Sequence, residues 1–354
     1  MAARIQSKVP DISTHPALTA HTQIAAPKRR SLGERIIRME RGWFTDFAWE
    51  NGGVVVRKTG ATTPLNAEVL GHVATWLHYF FVTRTVGLAK RLTGRGGSTI
   101  WFSPDAPRPW YMIRSVAAWA GMGVVSDPAR ADVAFHFDDS TWSPPGGTFA
   151  GRTINYACRD ISKARVNALF GQVFGYRLGI EPMSWSGEAV EKAQENSMHD
   201  GRIVVCPTRA HEGRCYQRLV RTSHLDEVHD LRTACVGGRP IAVWIKTRKR
   251  ADRFASGANL RVEAQAPEAV FSASELDRIA AFNAAIGLEW GTLDILRDVD
   301  DGRIYIVDVN KTDVGPVLQL PMRDKIASTR ALARALRSLI STGRPDPGAI
   351  RFDA

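Results

Sequence analysis

The chain has 354 residues, 44% of them hydrophobic and 23% charged, which is the composition of a soluble globular protein with two or three packed units. A formal net charge of +11 indicates anionic partners such as phosphates, acidic metabolites, nucleic acid or an acidic membrane, although a solvated basic surface would have the same charge. The four cysteines form no CxxC pair, which excludes a zinc ribbon and a disulfide framework and favours the reducing cytoplasm.

Residues 1–30 are rich in Ala, Thr, Pro and Lys, which predicts a disordered basic arm without the apolar core of a signal peptide. Residues 31–94 are expected to form a helical extension. Within it, "EVLGHVATWLHYFFVTRTVGLAKRL" (68–92) has no apolar run of the roughly 18 residues that a membrane span needs. We expect a helix docked on a core, while its basic end and aromatic centre leave open a position peripheral to the inner face of a membrane.

Residues 95–155 alternate short apolar runs with turns, which predicts a small βαβ domain. Its strands are "STIWFS" and "ADVAFHF", and its helix is "PWYMIRSVAAWAGMGV". The glycine-rich "TGRGGS" lacks the spacing of a phosphate-binding loop and is interpreted as a plain connection.

Residues 156–354 are predicted to form a larger α+β domain. A helix, "ISKARVNALFGQVFG", precedes the strands "GEAVEK", "GRIVV" and "CYQRLV" and a hairpin that turns at Gly237 and Gly238. A helix capped by Ser272 or Ser274, two further strands and the closing helix "RDKIASTRALARALRSLI" follow.

The two strands of "DILRDVDDGRIYIVD" carry polar residues where a buried strand should stay apolar. A three-residue loop ending at a left-handed Gly302 would pair Val299 with Arg303, Asp294 with Asp308, and Thr292 with Asn310. A two-residue loop would instead place Asp308 on the opposite face.

Opposed carboxylates destabilise a sheet unless positive charge lies between them. Mg²⁺ takes oxygen ligands and is held by one or two carboxylates together with substrate phosphates, so Asp294, Asp308 and Asn310 are the predicted metal ligands. The alternative is a solvated sheet edge on which one Asp pairs with a nearby Arg.

The segment "TLDILRDVDDGRIYIVDVNKTDVGP" resembles the end of the nucleotide site in the ATP-grasp superfamily, in its glutathione synthetase-like and glutamate-ligase-like branches. The resemblance covers roughly residues 155–325. It implies an α/β (α+β) fold in which two lobes clasp ATP behind a small βαβ domain. The smaller, nucleotide-clasping lobe would be 182–245 and the metal-site lobe 246–340.

Upstream segments resemble the other landmarks of this superfamily in the same order. They imply that Lys163 and Lys192 are the two nucleotide lysines, and that Gln217 and Leu219 contact adenine. The loop "ENSMHDG" is poor in glycine, so His199 and Asp200 are expected to replace backbone amides at the phosphates.

Two later basic segments complete the resemblance. The strand "HDLRTACVGG" implies a ribose contact for Asp230 and an anion contact for Arg232. The segment "KTRKRADRFASGAN" places Lys246 and Arg253 near the transferred phosphate. Taken singly, each lysine is more often a surface charge.

The resemblance implies an enzyme dependent on ATP and Mg²⁺ (or Mn²⁺) that activates a carboxylate as an acyl phosphate and joins it to an amine, releasing ADP. The expected substrates are small, anionic acids and amines. A small-molecule kinase and a non-catalytic nucleotide-binding or basic docking protein are the alternatives. Nucleic acid is not expected, because the run "KTRKRADR" has no interleaved aromatic residues for base stacking.

Overall fold

The computed structural model describes residues 46–50, 53–56, 61–64, 66–144, 146–198, 200–255, 259–348 and 352. The predicted arm at residues 1–30 and the predicted phosphate contact His199 lie outside these residues. Within the described parts of the chain, no helix combines the length and apolar character needed to cross a membrane.

The described structure begins with a small antiparallel sheet and a long helix. Strands β1 (Phe47–Glu50), β2 (Gly53–Val56) and β3 (Ala61–Pro64) pair in sequence order. Helix α1 (Ala67–Leu92) follows, and the side chain of its N-cap Asn66 accepts a hydrogen bond from the backbone N–H of Val69 at 2.9 Å. The predicted helical extension is therefore right for α1 and wrong for β1–β3, where the aromatic residues of β1 and the β-branched residues of β2 and β3 favour strands.

A parallel sheet follows, as the βαβ pattern predicts. It contains β4 (Thr99–Pro104), β5 (Gly123–Val125), β6 (Val133–Phe137) and β7 (Arg152–Ile154) in the order β5-β4-β6-β7. Helix α2 (Met112–Trp119) connects β4 to β5. Every residue of β6 is buried, as expected for a parallel strand covered on both faces.

Helix α1 packs closely on α2. A Cβ atom added at Gly87 would lie 2.0 Å from the backbone oxygen of Ala118, so only glycine allows the two backbones to approach this far. Lys90 then donates a hydrogen bond to the carbonyl of Trp119, the last residue of α2, and Arg91 donates to the carbonyl of Gly121 just beyond it. These contacts confirm that α1 docks on a core.

The third sheet along the chain is antiparallel and has three strands. Helix α3 (Lys163–Phe174) precedes β8 (Gly187–Ala193), β9 (Arg202–Cys206) and β10 (Arg214–Arg218), which are ordered β10-β8-β9. The Arg218 guanidinium joins β10 to the rest of the domain, because it donates to the Tyr305 hydroxyl at 2.6 Å and to Asp298 at 2.9 Å.

The largest sheet is antiparallel and has five strands. They are β11 (Glu227–Val236), β12 (Arg239–Lys249), β13 (Arg261–Gln265), β14 (Trp290–Arg297) and β15 (Ile304–Asn310), in the order β13-β12-β11-β14-β15. The predicted lobe boundary at residue 245 is wrong, since it cuts β12 between partners with which it shares a ladder. The strand pairing places the boundary between β10 and β11.

Helices cover this sheet on both faces. On one face α3 and α5 (Ala273–Ile286), after the short α4 (Pro267–Val270), form an apolar core with alternate residues of β11, β14 and β15. On the other face, the closing helix α6 (Met322–Thr342) and the parallel sheet share a second core that includes Trp244. The predicted cap of α5 is confirmed as a capping box between Ser272 and Glu275.

Asn155 connects the parallel sheet to β14. It is fully buried, with φ of 62°, and its amide nitrogen donates to the Trp290 carbonyl at 2.7 Å. Its amide oxygen accepts from the backbone N–H groups of Glu289 and Trp290, both at 2.9 Å. One side chain therefore satisfies three buried backbone groups at the junction.

We expect Asn155→Ala to lower the free energy of unfolding by about 3 kcal/mol, because buried backbone groups lose their partners and alanine disfavours a left-handed backbone. Asn155→Gly should lose ~1 kcal/mol less, since glycine accepts that backbone. Urea unfolding curves measure both values, and a glycine variant as stable as the native chain would contradict this account.

Candidate active site

The β14–β15 hairpin has the predicted pairing at its polar end. Asp294 lies opposite Asp308, and Thr292 lies opposite Asn310. Gly302 has the predicted left-handed backbone, with φ of 70°. The predicted pairing of Val299 with Arg303 is wrong, because the backbone N–H of Asp298 donates to the Arg303 carbonyl and leaves Val299–Gly302 as the loop.

A β-bulge restores the predicted register beyond the turn. Ile295 pairs with Ile306 while Asp294 pairs with Asp308, so Val307 is the extra residue in β15. The Lys192 amine donates a hydrogen bond to the Val307 carbonyl at 2.8 Å. The bulge thus brings the carboxylates of Asp294 and Asp308 opposite each other and directs the Val307 carbonyl towards Lys192 of strand β8.

Alternation along the strands gathers the predicted polar residues on one face of the five-stranded sheet. Asp230 pairs with Lys246 across β11 and β12, and Arg232 pairs with Asp294 across β11 and β14. Asp308 continues the second row on β15. The intervening residues of the same strands, such as Leu231 and Leu293, point into the apolar core on the other face.

Arg232 joins two carboxylates at the centre of this face. Its Nη1 lies 2.7 Å and 2.8 Å from the two carboxylate oxygens of Asp294, and its Nη2 donates to Asp313. Burial alone would raise the pKa of Asp294, but the charges of Arg232 and Lys246 outweigh it and hold that pKa well below the usual range. Asp294 is therefore ionised at any physiological pH.

A second ion cluster lies beside the first. The Lys246 amine is 2.6 Å from Asp230 Oδ2, and Arg248 Nη2 is 3.2 Å from the same oxygen. The other oxygen, Asp230 Oδ1, is buried and has no hydrogen-bond partner among the described residues. A buried carboxylate oxygen without a donor is an acceptor available to a ligand hydroxyl or amine.

Asp308 is held from the side of α3. The amine of Lys163, at the N-terminal end of α3, lies 2.6 Å from Asp308 Oδ1 and 3.1 Å from Asn196 Oδ1. Asn310 Nδ2 lies 3.3 Å from Asp294 Oδ2, so the amide bridges towards the opposed carboxylate. The alternative interpretation was a solvated sheet edge on which one Asp pairs with an arginine. Arg232 does pair with Asp294, but the side chains of Asp294 and Asp308 are mostly buried and do not lie on a solvated edge.

Lys192 faces this group from β8. Burial lowers the pKa of its amine to about 8, and the Asp308 carboxylate only partly opposes that effect. The amine therefore changes protonation within the range in which enzymes commonly work. A phosphate oxygen placed beside it would favour the protonated form.

The loop between β8 and β9, in the β10-β8-β9 sheet, closes over these residues. Asp200 accepts a hydrogen bond from the backbone N–H of Ala193 at 3.1 Å and pairs with Arg214, so it holds the loop together. A Cβ atom at Gly201 would lie 2.7 Å from the Phe254 ring, so the loop packs closely on the segment that follows β12 of the five-stranded sheet.

A cavity of about 690 Å³ lies between the β10-β8-β9 sheet and the five-stranded sheet. All the predicted site residues that are described line it except Leu219. They are Lys163, Lys192, Asp200, Gln217, Asp230, Arg232, Lys246, Arg253, Asp294, Asp308 and Asn310. Gln217 is buried and donates to Asn167 at 2.8 Å, so its side chain is directed towards α3. Arg253 donates to the Val220 carbonyl at 3.1 Å.

The structure adds residues that sequence reasoning missed. Asp313 pairs with Arg232, its Oδ2 is buried without a partner among the described residues, and its own carbonyl accepts from the Met112 backbone N–H at 2.9 Å. Arg248 and Trp76 also line the cavity. The sequence shows a carboxylate five residues after Asp308, which could have drawn attention to Asp313. Because Asp313 lies in a loop, no strand alternation predicts the direction of its side chain.

No protein-family model matches the chain, and no curated protein matches it. Similar solved structures include the ATP-grasp ligase PsnB complexed with minimal precursor, with TM-score 0.42 and 14% identity over 66% of this chain and 99% of that one. A Chryseobacterium gregarium RiPP-associated ATP-grasp ligase, in complex with ADP and a leader and core peptide, has TM-score 0.40 and 8% identity over 72% and 99%.

The macrocyclase MdnC of Microcystis aeruginosa MRC, bound with precursor peptide MdnA, has TM-score 0.35 and 12% identity over 61% of this chain and 92% of that one. The similarity to these three structures is loose.

We expect Arg232→Gln to lower the free energy of unfolding by about 3–5 kcal/mol at pH 7, because two buried carboxylates lose their cation. The double variant Arg232→Gln/Asp294→Asn should be more stable than the single variant. The difference between the two variants should shrink below about pH 4, where the carboxylates become protonated. Urea unfolding of Arg232→Gln, Asp294→Asn and the double variant at pH 7 and pH 3 measures the cycle, and additive losses at pH 7 would argue against the ion pair.

Proposed function

We propose that this protein is an ATP-grasp enzyme that uses Mg²⁺ and ATP to activate a substrate carboxylate and join it to an amine, releasing ADP. The observation that carries the proposal is the pairing of Asp294 with Asp308 beside Asn310, at a cavity that Lys163 faces from α3 and Lys192 from β8. Two carboxylates, with Lys163, Lys192, Arg232 and Lys246 beside them, are the groups that a metal-bound triphosphate requires.

The residues present fit Mg²⁺. No group of three or more His, Cys, Asp or Glu side chains in the described chain is arranged to hold a metal alone. Asp294, Asp308 and the Asn310 amide offer hard oxygen ligands, and Mg²⁺ commonly takes its remaining ligands from water and substrate phosphates. Turning the Asn310 amide over would direct its oxygen, rather than its nitrogen, towards the site, and would exchange its contact with Asn196 Nδ2 at 3.4 Å for a metal contact. The ion would neutralise charge on the terminal phosphates.

The chain's own side chains position the nucleotide. Lys163 and Lys192 are point charges suited to phosphate oxygens, and both already lie beside Asp308. The unpartnered oxygen Asp230 Oδ1 is placed to accept a hydrogen bond from a ribose hydroxyl. Backbone groups near Gln217 would receive adenine.

Arg232 and Lys246 stabilise the charge that develops as the phosphoryl group moves to the substrate carboxylate. Both cations are mostly buried and already fixed by ion pairs, so they need little reorganisation when the reaction occurs. Arg253 lies in the same cavity on the side of the β8–β9 loop. The acyl phosphate so formed is then open to attack by an amine, with the cavity limiting access of water.

We expect Asp308→Ala and Asn310→Ala each to weaken Mg²⁺-dependent ATP binding by at least about tenfold, or ~1.4 kcal/mol, because each removes an oxygen ligand. Isothermal titration with and without EDTA measures the effect. Asp300→Ala is the matched control, since Asp300 is an exposed carboxylate at the turn of the same hairpin, paired with Arg221. Unchanged affinity in both site variants would sink the proposal.

Product analysis tests the reaction itself. A screen of carboxylates with amines, covering small molecules and peptides, should yield ADP, phosphate and an amide. A phosphorylated substrate without amide would support a kinase instead. AMP with pyrophosphate would contradict the acyl phosphate route.

Lys192 gives the proposal a pH-dependent signature. With a pKa of about 8, the free amine is mostly neutral at pH 8.5, and bound phosphate should return it to the charged form. We therefore expect ATP binding at pH 8.5 to take up most of one proton, and affinity to fall by up to about tenfold per pH unit above pH 8. Titration in buffers of different ionisation enthalpy measures the uptake.

The matched control is Lys192→Arg, whose guanidinium keeps its charge across this range. This variant should bind ATP without proton uptake and without the pH dependence above pH 8. Proton uptake that persists in Lys192→Arg would assign it to another group.

A further inference from the structure

The loop after β15 carries a buried carboxylate of which one oxygen has no partner. Asp313 Oδ1 accepts a hydrogen bond from Arg232, whereas Asp313 Oδ2 is buried and has no hydrogen-bond partner among the described residues. The Asp313 side chain is almost fully buried and lines the cavity. A buried carboxylate oxygen without a donor is unfavourable, so this oxygen points to a hydrogen-bond donor that a ligand supplies.

Backbone hydrogen bonds to the parallel-sheet domain hold this loop on both sides of the carboxylate. The Asp313 carbonyl accepts from the Met112 backbone N–H at 2.9 Å, and the Gly315 backbone N–H donates to the Trp110 carbonyl at 3.1 Å. The carboxylate is therefore positioned before a ligand binds. A group fixed in advance loses little conformational freedom on binding.

Gly315 leaves room beside the unpartnered oxygen. A Cβ atom added at Gly315 would lie 3.9 Å from Asp313 Oδ2 and 3.8 Å from both Met112 Sδ and the Val317 nitrogen, which are the nearest atoms outside the adjoining residues. These are ordinary van der Waals distances, so a group of the size of a methyl fits there. Gly315 also lines the cavity, so this space is open to a ligand within it.

The chemistry of Asp313 Oδ2 favours an N–H donor over a metal ion. Divalent cations need several oxygen ligands, and no group of three or more His, Cys, Asp or Glu side chains in the described part of the chain could hold one. Arg232 already occupies the other oxygen of this carboxylate. One hydrogen-bond donor satisfies the oxygen that is left, and an amine nitrogen is such a donor.

Asp313 lies beside the groups at which the proposed reaction takes place. Arg232 contacts Asp294 through Nη1 and Asp313 through Nη2, so one guanidinium group separates the two carboxylates. The proposed function, on which this inference rests, places the transferred phosphoryl group at Arg232. A nitrogen bound at Asp313 would therefore be held near the acyl phosphate that it attacks.

Apolar side chains close to Asp313 in the sequence are exposed in the same cavity. Val314 is 59% exposed and Leu318 40% exposed, and both line the cavity. Trp76 of α1 and Met198 of the β8–β9 loop line it as well. Exposed apolar side chains in a cavity favour a ligand that removes them from water. The cavity therefore suits an amine that carries an apolar substituent.

We infer that Asp313 binds the amine substrate and that this amine carries an apolar substituent. Asp313 Oδ2 accepts a hydrogen bond from the amine nitrogen, and Val314, Leu318 and Trp76 contact the substituent. The anionic partners that the net charge of +11 indicates are then ATP and the acid, while the amine is apolar.

Titration of the full chain with three related amides tests the inference. Leucinamide has an amine and an apolar side chain, 4-methylpentanamide lacks only the amine, and glycinamide lacks only the side chain. We expect leucinamide to bind at least about tenfold more tightly than either of the others, because each of them loses one of the two contacts. Isothermal titration calorimetry, with and without Mg²⁺ and a non-hydrolysable ATP analogue, measures the three affinities.

Two variants test the contact with Asp313 Oδ2. Asp313→Asn removes the charge and should weaken leucinamide binding about tenfold, while the affinity for 4-methylpentanamide stays as it is. Gly315→Ala keeps the carboxylate and places a methyl group in the space beside it, which should weaken leucinamide binding at least about fivefold. This second variant leaves Arg232 with both of its carboxylates, so its effect is independent of the ion pairs. Gly147→Ala is the matched control, because a Cβ atom there meets nothing within 4 Å and Gly147 does not line the cavity.

A further pair of variants tests the apolar contact. Val314→Ser/Leu318→Ser should lower the affinity for leucinamide to that for glycinamide and leave glycinamide binding unchanged, because glycinamide has no side chain to lose its contacts. Val205→Ser/Leu225→Ser is the matched control, since these side chains are 73% and 69% exposed and do not line the cavity. This control should bind leucinamide as the native chain does.

Three outcomes would overturn the inference. The first is equal affinity for leucinamide and 4-methylpentanamide, or no measurable binding of leucinamide. The second is native leucinamide affinity in both Asp313→Asn and Gly315→Ala, and the third is native leucinamide affinity in Val314→Ser/Leu318→Ser. Each can occur while Asp308→Ala still weakens Mg²⁺-dependent ATP binding, so this inference can fail while the proposed function holds.

Discussion

The ion triad of Arg232 with Asp294 and Asp313 is the interaction on which the site depends. Burying a guanidinium is costly unless carboxylates compensate it, and both carboxylates are supplied by different elements. Asp294 belongs to β14, while Asp313 follows β15 in a loop whose backbone is bonded to the start of α2. The triad therefore links the five-stranded sheet to the parallel-sheet domain at the point where the cavity opens.

Around this triad, side chains alternate along the strands, so that one face of the five-stranded sheet is apolar and the other carries the polar residues of the cavity. Leu231, Leu293 and their neighbours bury one face against α3 and α5, while Asp230, Asp294 and Asp308 collect on the other. Like charges at this density repel one another, and lysines from other strands and from α3 offset the repulsion. An anionic ligand with its own divalent cation can replace some of these contacts without leaving a buried charge unpaired, which is why the arrangement suits a nucleotide triphosphate.

The sequence predicted the features that alternation governs. Asp294, Asp308 and Asn310 were placed correctly because a strand fixes side-chain direction, even though the loop was one residue longer than predicted and the bulge at Val307 compensated. Features without a period were not predictable. Asp313 lies in a loop, the boundary between the lobes depends on long-range strand pairing, and β1–β3 are too short for a clear pattern. The resemblance supplied the order of the lysines, which spacing alone did not indicate.

Helix α1 connects the cavity to the core of the parallel-sheet domain. Trp76 lines the cavity, while Gly87 and Lys90 of the same helix contact α2 about three turns further along. The close approach at Gly87 leaves no room for a larger side chain, so the packing of α1 on α2 fixes the position of the helix that supplies Trp76 to the wall of the cavity.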